Sequence, residues 1–147
     1  MSIKDLEKEG LIRRLPIDKI KVKDSFRLAE RDIKTSRGLI KEDPDWAFSI
    51  AYNAILQAGR ALMFSHGYRP VGKAQHVSVI RFVETSLSHE VSKAVTTFDM
   101  MRRKRHRAVY DTAGSISTLE AKNAITRAEE LLEKIRTKLK ENGFLEK

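Results

Sequence analysis

"EDPDWAFSIAYNAILQAGRALMFSHG", residues 42–67, begins and ends as a helix does. Asp43 can cap the first turn, Pro44 suits the first helical position, and Asp45 complements the positive end of the dipole. Gly67 can take the left-handed conformation that closes a helix, which puts the last helical residue at Ser65 or His66. Between these signals Ala47, Ala51, Ala54, Ala58 and Ala61 fall on one face. Small side chains let a neighbouring helix come close, so this segment is expected at the centre of a bundle. Gly59 either permits that approach or is tolerated within the helix.

The flanking segments repeat the helical period. Apolar residues recur at spacings of three and four, and sustained two-residue alternation is absent, so the chain reads as all-α. A short helix over 3–9 ends at Gly10 and leads into the irregular arm "LIRRLPIDK". A second helix starts at Asp24 or Ser25 and places Phe26, Ala29, Ile33, Ser36 and Ile40 on one face. After residue 67, "GYRPVGK" reads as a loop. A helix over 73–87 then points Val77, Ile80, Val83 and Leu87 inward, and another covers about 90–110. "DTAGSI" breaks it, and "STLE" (Ser117–Glu120) has the pattern of a capping box for the last helix. Ala124, Ala128, Leu131, Ile135 and Leu139 form the buried stripe of that helix, and Gly143 marks its end. The expectation is an antiparallel bundle of four to five helices over 24–143, preceded by an accessory arm over 1–23.

Composition narrows the function. A chain of 147 residues with 41% hydrophobic and 33% charged residues can bury a core as one domain. Without cysteine it has no disulfide framework, thiolate metal site or thiol nucleophile. The N-terminus is charged where a signal peptide would be apolar, and no window approaches the roughly 18 apolar residues of a membrane span. A cytoplasmic protein with no membrane contact is expected. The net charge of +9 is uneven: residues 69–107 hold 9 basic and 3 acidic groups. Such a focus points to a polyanionic partner.

That surplus peaks in "MMRRKRHRAVYDTAG", residues 100–114, with five cations between Arg102 and Arg107 around His106. At 100° per residue Asp99, Arg102, Arg103, His106 and Tyr110 fall within an arc of roughly 100°. Guanidinium forks can hold a phosphate there, and an imidazole or phenol can exchange a proton or donate a hydrogen bond. The alternative is a solvated basic face with Asp99 paired to Arg103 at i, i+4. His76, just after a loop, reads mainly as a structural histidine that caps or orients its neighbours. His66 and His89 stand at helix ends. No two histidines have the spacing of a metal pair, so neither a metal nor another cofactor is expected. "PVGKA" lacks the first glycine and the Ser/Thr of a phosphate loop. Trp46 and Tyr52 read as core or interface residues rather than base-stacking platforms.

Three stretches together resemble the HEPN family (higher eukaryotes and prokaryotes nucleotide-binding). They are "DWAFSIAYNAILQAGRALMFSHGYRP", "GKAQHVSVIRFV", and "MRRKRHRAVYD" followed by an alanine-rich final helix, in family order over roughly residues 24–140. The resemblance implies a helical bundle that dimerises, with the arginine motifs of two chains facing one cleft. It also implies pairing with a minimal nucleotidyltransferase as a toxin–antitoxin system. Active members are metal-independent ribonucleases with an arginine, four to six residues, then a histidine. The arginine would hold the scissile phosphate and the histidine would move the 2′-hydroxyl proton.

The sequence departs from that motif at its second residue. Four residues after Arg105, and six after Arg103, the next position is Tyr110 rather than a histidine, while His106 follows Arg102 with three between. The resemblance carries the arginine role to Arg105 and Arg103, while the charge density of the segment, rich in arginine, makes Arg102, Arg103, Arg105 and Arg107 the phosphate-binding candidates. The catalytic candidates are Arg105, His106 and Tyr110, with weak or no cleavage expected. Two other readings stay open: a catalytically silent HEPN module that binds a nucleotide or its nucleotidyltransferase, and a helical partner-binding protein with no nucleic-acid role.

Overall fold

A computed structural model of the chain describes residues 2–87, 92–106 and 113–146. Among them the order is α1 (Ile3–Lys8), β1 (Ile12–Arg14), α2 (Lys19–Leu39), α3 (Pro44–Ser65), β2 (Tyr68–Pro70), α4 (Gln75–Leu87), α5 (Ser92–His106) and α6 (Thr118–Glu141). The fold is all-α, with one two-stranded ribbon among the described residues.

α3 is the axis. Asp43 Oδ1 accepts from Trp46 N at 3.1 Å, Pro44 occupies the first turn, and Gly67 closes the far end at φ 79°. All five stripe alanines are fully buried, because α2, α4, α5 and α6 each pack on this helix. The stripe is thus consumed within the chain, and a second copy would have to meet it elsewhere. At Gly59 a Cβ would lie 2.4 Å from Val79 Cγ1. Glycine there is what lets α4 lie this close.

α2 and α3 form an antiparallel hairpin. Asn53 Nδ2 on α3 donates to Asp32 Oδ2 on α2 at 2.8 Å, while Arg31 Nε and Nη2 donate to Asp32 Oδ1 at 3.0 and 2.9 Å. Asp32 is buried and Ile33 only partly so, a reversal of the apolar pattern made possible because both carboxylate oxygens are satisfied. The helix also starts earlier than Asp24. Asp18 Oδ1 accepts from Ile20 N and Lys21 N, and burial of Val22 anchors the additional turn.

The arm folds back on the bundle. Leu6 is fully buried, and transferring such a side chain from water favours folding by about 2 kcal/mol. β1 pairs antiparallel with β2 in the register Ile12↔Pro70, Arg13↔Arg69, Arg14↔Tyr68. Part of "GYRPVGK" is therefore strand rather than loop, and Val71 N donates to Leu11 O at 3.1 Å to extend the brace.

α5 and α6 are antiparallel, joined side to side by Lys104 and Glu120. The expected box at Ser117 is half made. Its Oγ accepts from Glu120 N at 3.0 Å, but the Glu120 carboxylate turns to Lys104. Asp45 Oδ2 and Oδ1 accept from Gly114 N at 2.6 Å and Ile116 N at 2.9 Å, which pins the end of the α5–α6 connection to the start of α3. Val77 is half-buried, while Val79, Ile80, Phe82 and Val83 take the inward face of α4. No helix among the described residues is long and apolar enough to cross a membrane.

Candidate functional site

The site grows from the inner row of α5. Val95, Phe98 and Met101 are buried, and one further turn brings Arg105 onto the same face. Its guanidinium lies over the Tyr52 ring, 5.5 Å from the centroid, and its Nε donates to Ser49 Oγ at 3.2 Å. Both partners belong to α3. Arg105 is thus held over an aromatic ring, whose quadrupole attracts the cation.

The other cations point in different directions, as 100° per residue requires. Asp99 Oδ1 accepts from Arg102 Nε at 3.3 Å and its Oδ2 from Arg103 Nη2 at 3.2 Å. Arg103 is largely exposed, whereas Arg102 is half covered. Lys104 turns to α6 and Glu120, whose carboxyl that hydrogen bond holds below its ordinary range. His106 lies exposed at the end of α5. Arg107, Tyr110 and His89 fall outside the described residues. The run from Arg102 to Arg107 is therefore not one patch: Arg102 and Arg105 face α3 and α4, while Lys104 faces α6.

Arg102 meets four residues that sequence reasoning left unassigned or placed elsewhere. With Arg60 of α3, Lys73 of the connection, and Gln75 and His76 of α4, it lines an open cleft of about 420 Å³. That volume falls within the range of small-molecule sites. No acidic side chain is among its described lining residues. The β1–β2 ribbon braces the connection that carries Lys73.

His76 is fixed from behind. Its Nδ1 lies 2.9 Å from the Tyr52 hydroxyl. Tyr52 is itself fully buried and packs on Phe98 with ring centroids 5.4 Å apart. Burial pushes the Tyr52 phenol up despite the lowering effect of Arg105 and Arg102, so it stays protonated and donates. Burial, then the charges of Arg60, Arg105 and Arg102, push the His76 imidazole down, so it is neutral at neutral pH and accepts at Nδ1. With the phenol as donor to Nδ1, the ring proton sits on Nε2.

Nothing local in the sequence couples positions 52 and 76. The usable signal was a tyrosine inside the central helix, since a buried phenol demands a hydrogen-bond partner. Tyr52 as a core residue and His76 as a structural histidine were each legible, but not that the two are joined.

The HEPN domain family model matches residues 22–138, which takes in α2 through most of α6 and the whole cleft. Among solved structures, the chain is similar to that of TT1696 from Thermus thermophilus. The TM-score is 0.65 at 19% sequence identity, covering 81% of this chain and 98% of that one; at that identity the likeness is one of fold. No curated protein matches.

Proposed function

The chain belongs to the HEPN domain family, and from that premise we propose that it is a nucleotide- or RNA-binding protein of the cytoplasm. It acts in a toxin–antitoxin-like pair with a minimal nucleotidyltransferase and carries weak, metal-independent ribonuclease activity. The observation that carries this reading is the convergence of Arg60, Lys73 and Arg102 on one cleft whose described lining has no acid, with Arg105 immediately behind it on Tyr52. Arginine forks suit bidentate contact with phosphate oxygens. Arg102, Arg103, Arg105 and Arg107 supply the phosphate contacts, and Arg105 stabilises charge on the reacting phosphorus. His106 and Tyr110 are the proton-handling candidates. Residues 1–23 act as an accessory arm to the bundle at 24–143, and two copies assemble through a surface other than the alanine stripe.

The test is RNA binding followed against salt. Affinity should fall steeply as salt rises, because binding releases condensed counterions. The double variant Arg102→Ala/Arg105→Ala should bind weakly and with a shallower salt slope. Unchanged affinity and slope in that variant would leave the basic face as mere solvation. Cleavage, assayed with excess chelator, should persist in the wild type and vanish in Arg105→Ala. Light scattering that gives a mass near 16.8 kDa would exclude the dimer.

A further inference from the structure

The cleft at the start of α4 has features that a general basic surface lacks. Its cations come from three separate elements, α3, the 71–74 connection and α5, so their convergence is a product of the fold. Asp99 engages Arg102 through Nε, which leaves the terminal nitrogens of that guanidinium for another anion. The imidazole between them is held by a buried phenol, itself in contact with Phe98 and Arg105. An exposed basic face needs no such backing.

We propose that this cleft is a subsite for a terminal phosphate monoester, the phosphate of a nucleotide or of an RNA end, with His76 as the group that donates to it. The proposal rests on the nucleotide- or RNA-binding reading and narrows it to one chemical class. Charge decides between phosphate types. An internal phosphodiester carries a single negative charge, whereas a monoester carries about −1.5 to −2 near neutrality, with a second pKa of about 6. Three cations facing a neutral imidazole match the dianion. Once it is bound, the His76 Nε2 proton points at a phosphate oxygen and the imidazolium form is favoured. The charged and titratable groups around His76 are Arg60 on α3, Lys73 on the connection, Arg102 and Arg105 on α5, and the Tyr52 phenol, with Asp99 beyond Arg102. Against four cations only a bound anion raises the imidazole's proton affinity strongly. Tyr52 is a positioning residue: it fixes which ring nitrogen carries the proton.

The experiment is a pH titration of the histidine ring resonances in the full chain, with His76 assigned by its loss in His76→Gln. The probes are a nucleoside 5′-monophosphate, the same nucleoside without phosphate, and a short RNA with hydroxyl ends. The monophosphate should raise the His76 midpoint and the nucleoside should leave it unmoved. Lys73→Gln, on an exposed connection, should weaken monophosphate binding about tenfold, the size of one charged hydrogen bond. Tyr52→Phe keeps the ring packing and should reduce the midpoint response to monophosphate. A His76 midpoint unmoved by monophosphate, or unchanged affinity in Lys73→Gln, overturns the proposal. So does hydroxyl-ended RNA that shifts His76 as far as the monophosphate does. Hydroxyl-ended RNA that binds without moving His76 supports it. If no RNA binds while the monophosphate still moves His76, the RNA half of the proposed function falls and the subsite stands.

Discussion

α3 and α5 are both central to the molecule, yet they are held by opposite means. α3 is specified by what it lacks. Its five stripe alanines and Gly59 leave room for four neighbouring helices, and contact is made by close approach. α5 is specified by what it carries. Past Met101 the long side chains are paired: Arg102 and Arg103 share Asp99, Lys104 takes Glu120, and Arg105 takes Tyr52 and Ser49. Steric fit is unforgiving but chemically silent, whereas a set of paired cations tolerates change and can exchange its partners for a ligand. Stability should therefore respond mostly to α3 and binding mostly to α5.

The largest effect that could break this contrast is at Gly59. Gly59→Val must displace Val79, whose Cγ1 would lie 2.4 Å from the new Cβ. Overpacking of this kind costs about 2–3 kcal/mol, read as a drop in the denaturation midpoint. Gly38, on α2, meets nothing within 4 Å, so Gly38→Ala should instead gain up to about 1 kcal/mol from helix propensity. Equal responses at the two glycines would mean that α3 and α4 can part without loss.

Next in size is the difference between two arginines two residues apart. Arg105→Ala removes a cation–π contact and a hydrogen bond at a half-buried site, together about 1–2 kcal/mol of stability, and weakens RNA binding as well. Arg103→Ala leaves stability within about 0.5 kcal/mol, since its pair with Asp99 is exposed, and lowers the salt slope of RNA binding by about one. Thermal denaturation and salt titration of the same two variants separate the roles. If Arg103→Ala were the destabilising one, the assignment of Arg105 to the interior would be wrong.

These two regions also differ in how legible they were. α3 could be read because its information is local: a cap, a proline, an acid and a glycine bracket one periodic face. The basic run on α5 was equally visible, but its meaning was not, because consecutive cations on a helix diverge by 100° and only the neighbours decide which are taken. The early start of α2 was hidden because Asp18 follows Pro16 in a stretch that reads as irregular. The three-residue strands β1 and β2 are too short for alternation to register. Asp32 is buried against the pattern because Asn53, across the hairpin, completes its hydrogen bonds. The pairing of Tyr52 with His76 spans two helices and left no trace in spacing.

A smaller effect is set by pH and sharpens the role of that pairing. His76 and His66 are both held below the ordinary histidine value, in each case by burial first. Above about pH 6.5 the rings are neutral in folded and unfolded chains and contribute no slope. As pH falls below that value the unfolded chain takes up protons first, so stability declines until the depressed folded values are passed. Melting temperature should fall as pH drops below about 6.5, and that of His76→Gln should fall less. A His76→Gln slope equal to that of the wild type would put the whole effect at His66.

The smallest expected effect tests the contrast most directly, because it concerns a cation that a count of charges would include. Lys104 lies between Arg103 and Arg105 in sequence, and a uniform basic patch would give all three the same weight toward a polyanion. In the fold Lys104 turns to Glu120 on α6, away from the cleft that Arg102 lines, and the bond holds the Glu120 carboxyl in its charged form. Two partly exposed side chains in such a pair contribute roughly 0.5 kcal/mol. Lys104→Gln should therefore cost about that much stability and leave RNA affinity within about twofold of wild type. The salt slope should stay nearly unchanged, since Lys104 is turned to α6 and away from the cleft where the phosphates would displace counterions. The comparison that decides the matter is Lys104→Gln against Arg102→Gln, each removing one formal charge within two positions of the other. Equal losses of slope would show that RNA responds to the charge of α5 as a whole, whereas a loss confined to Arg102→Gln would show that the direction in which each side chain leaves the helix selects the cations that bind.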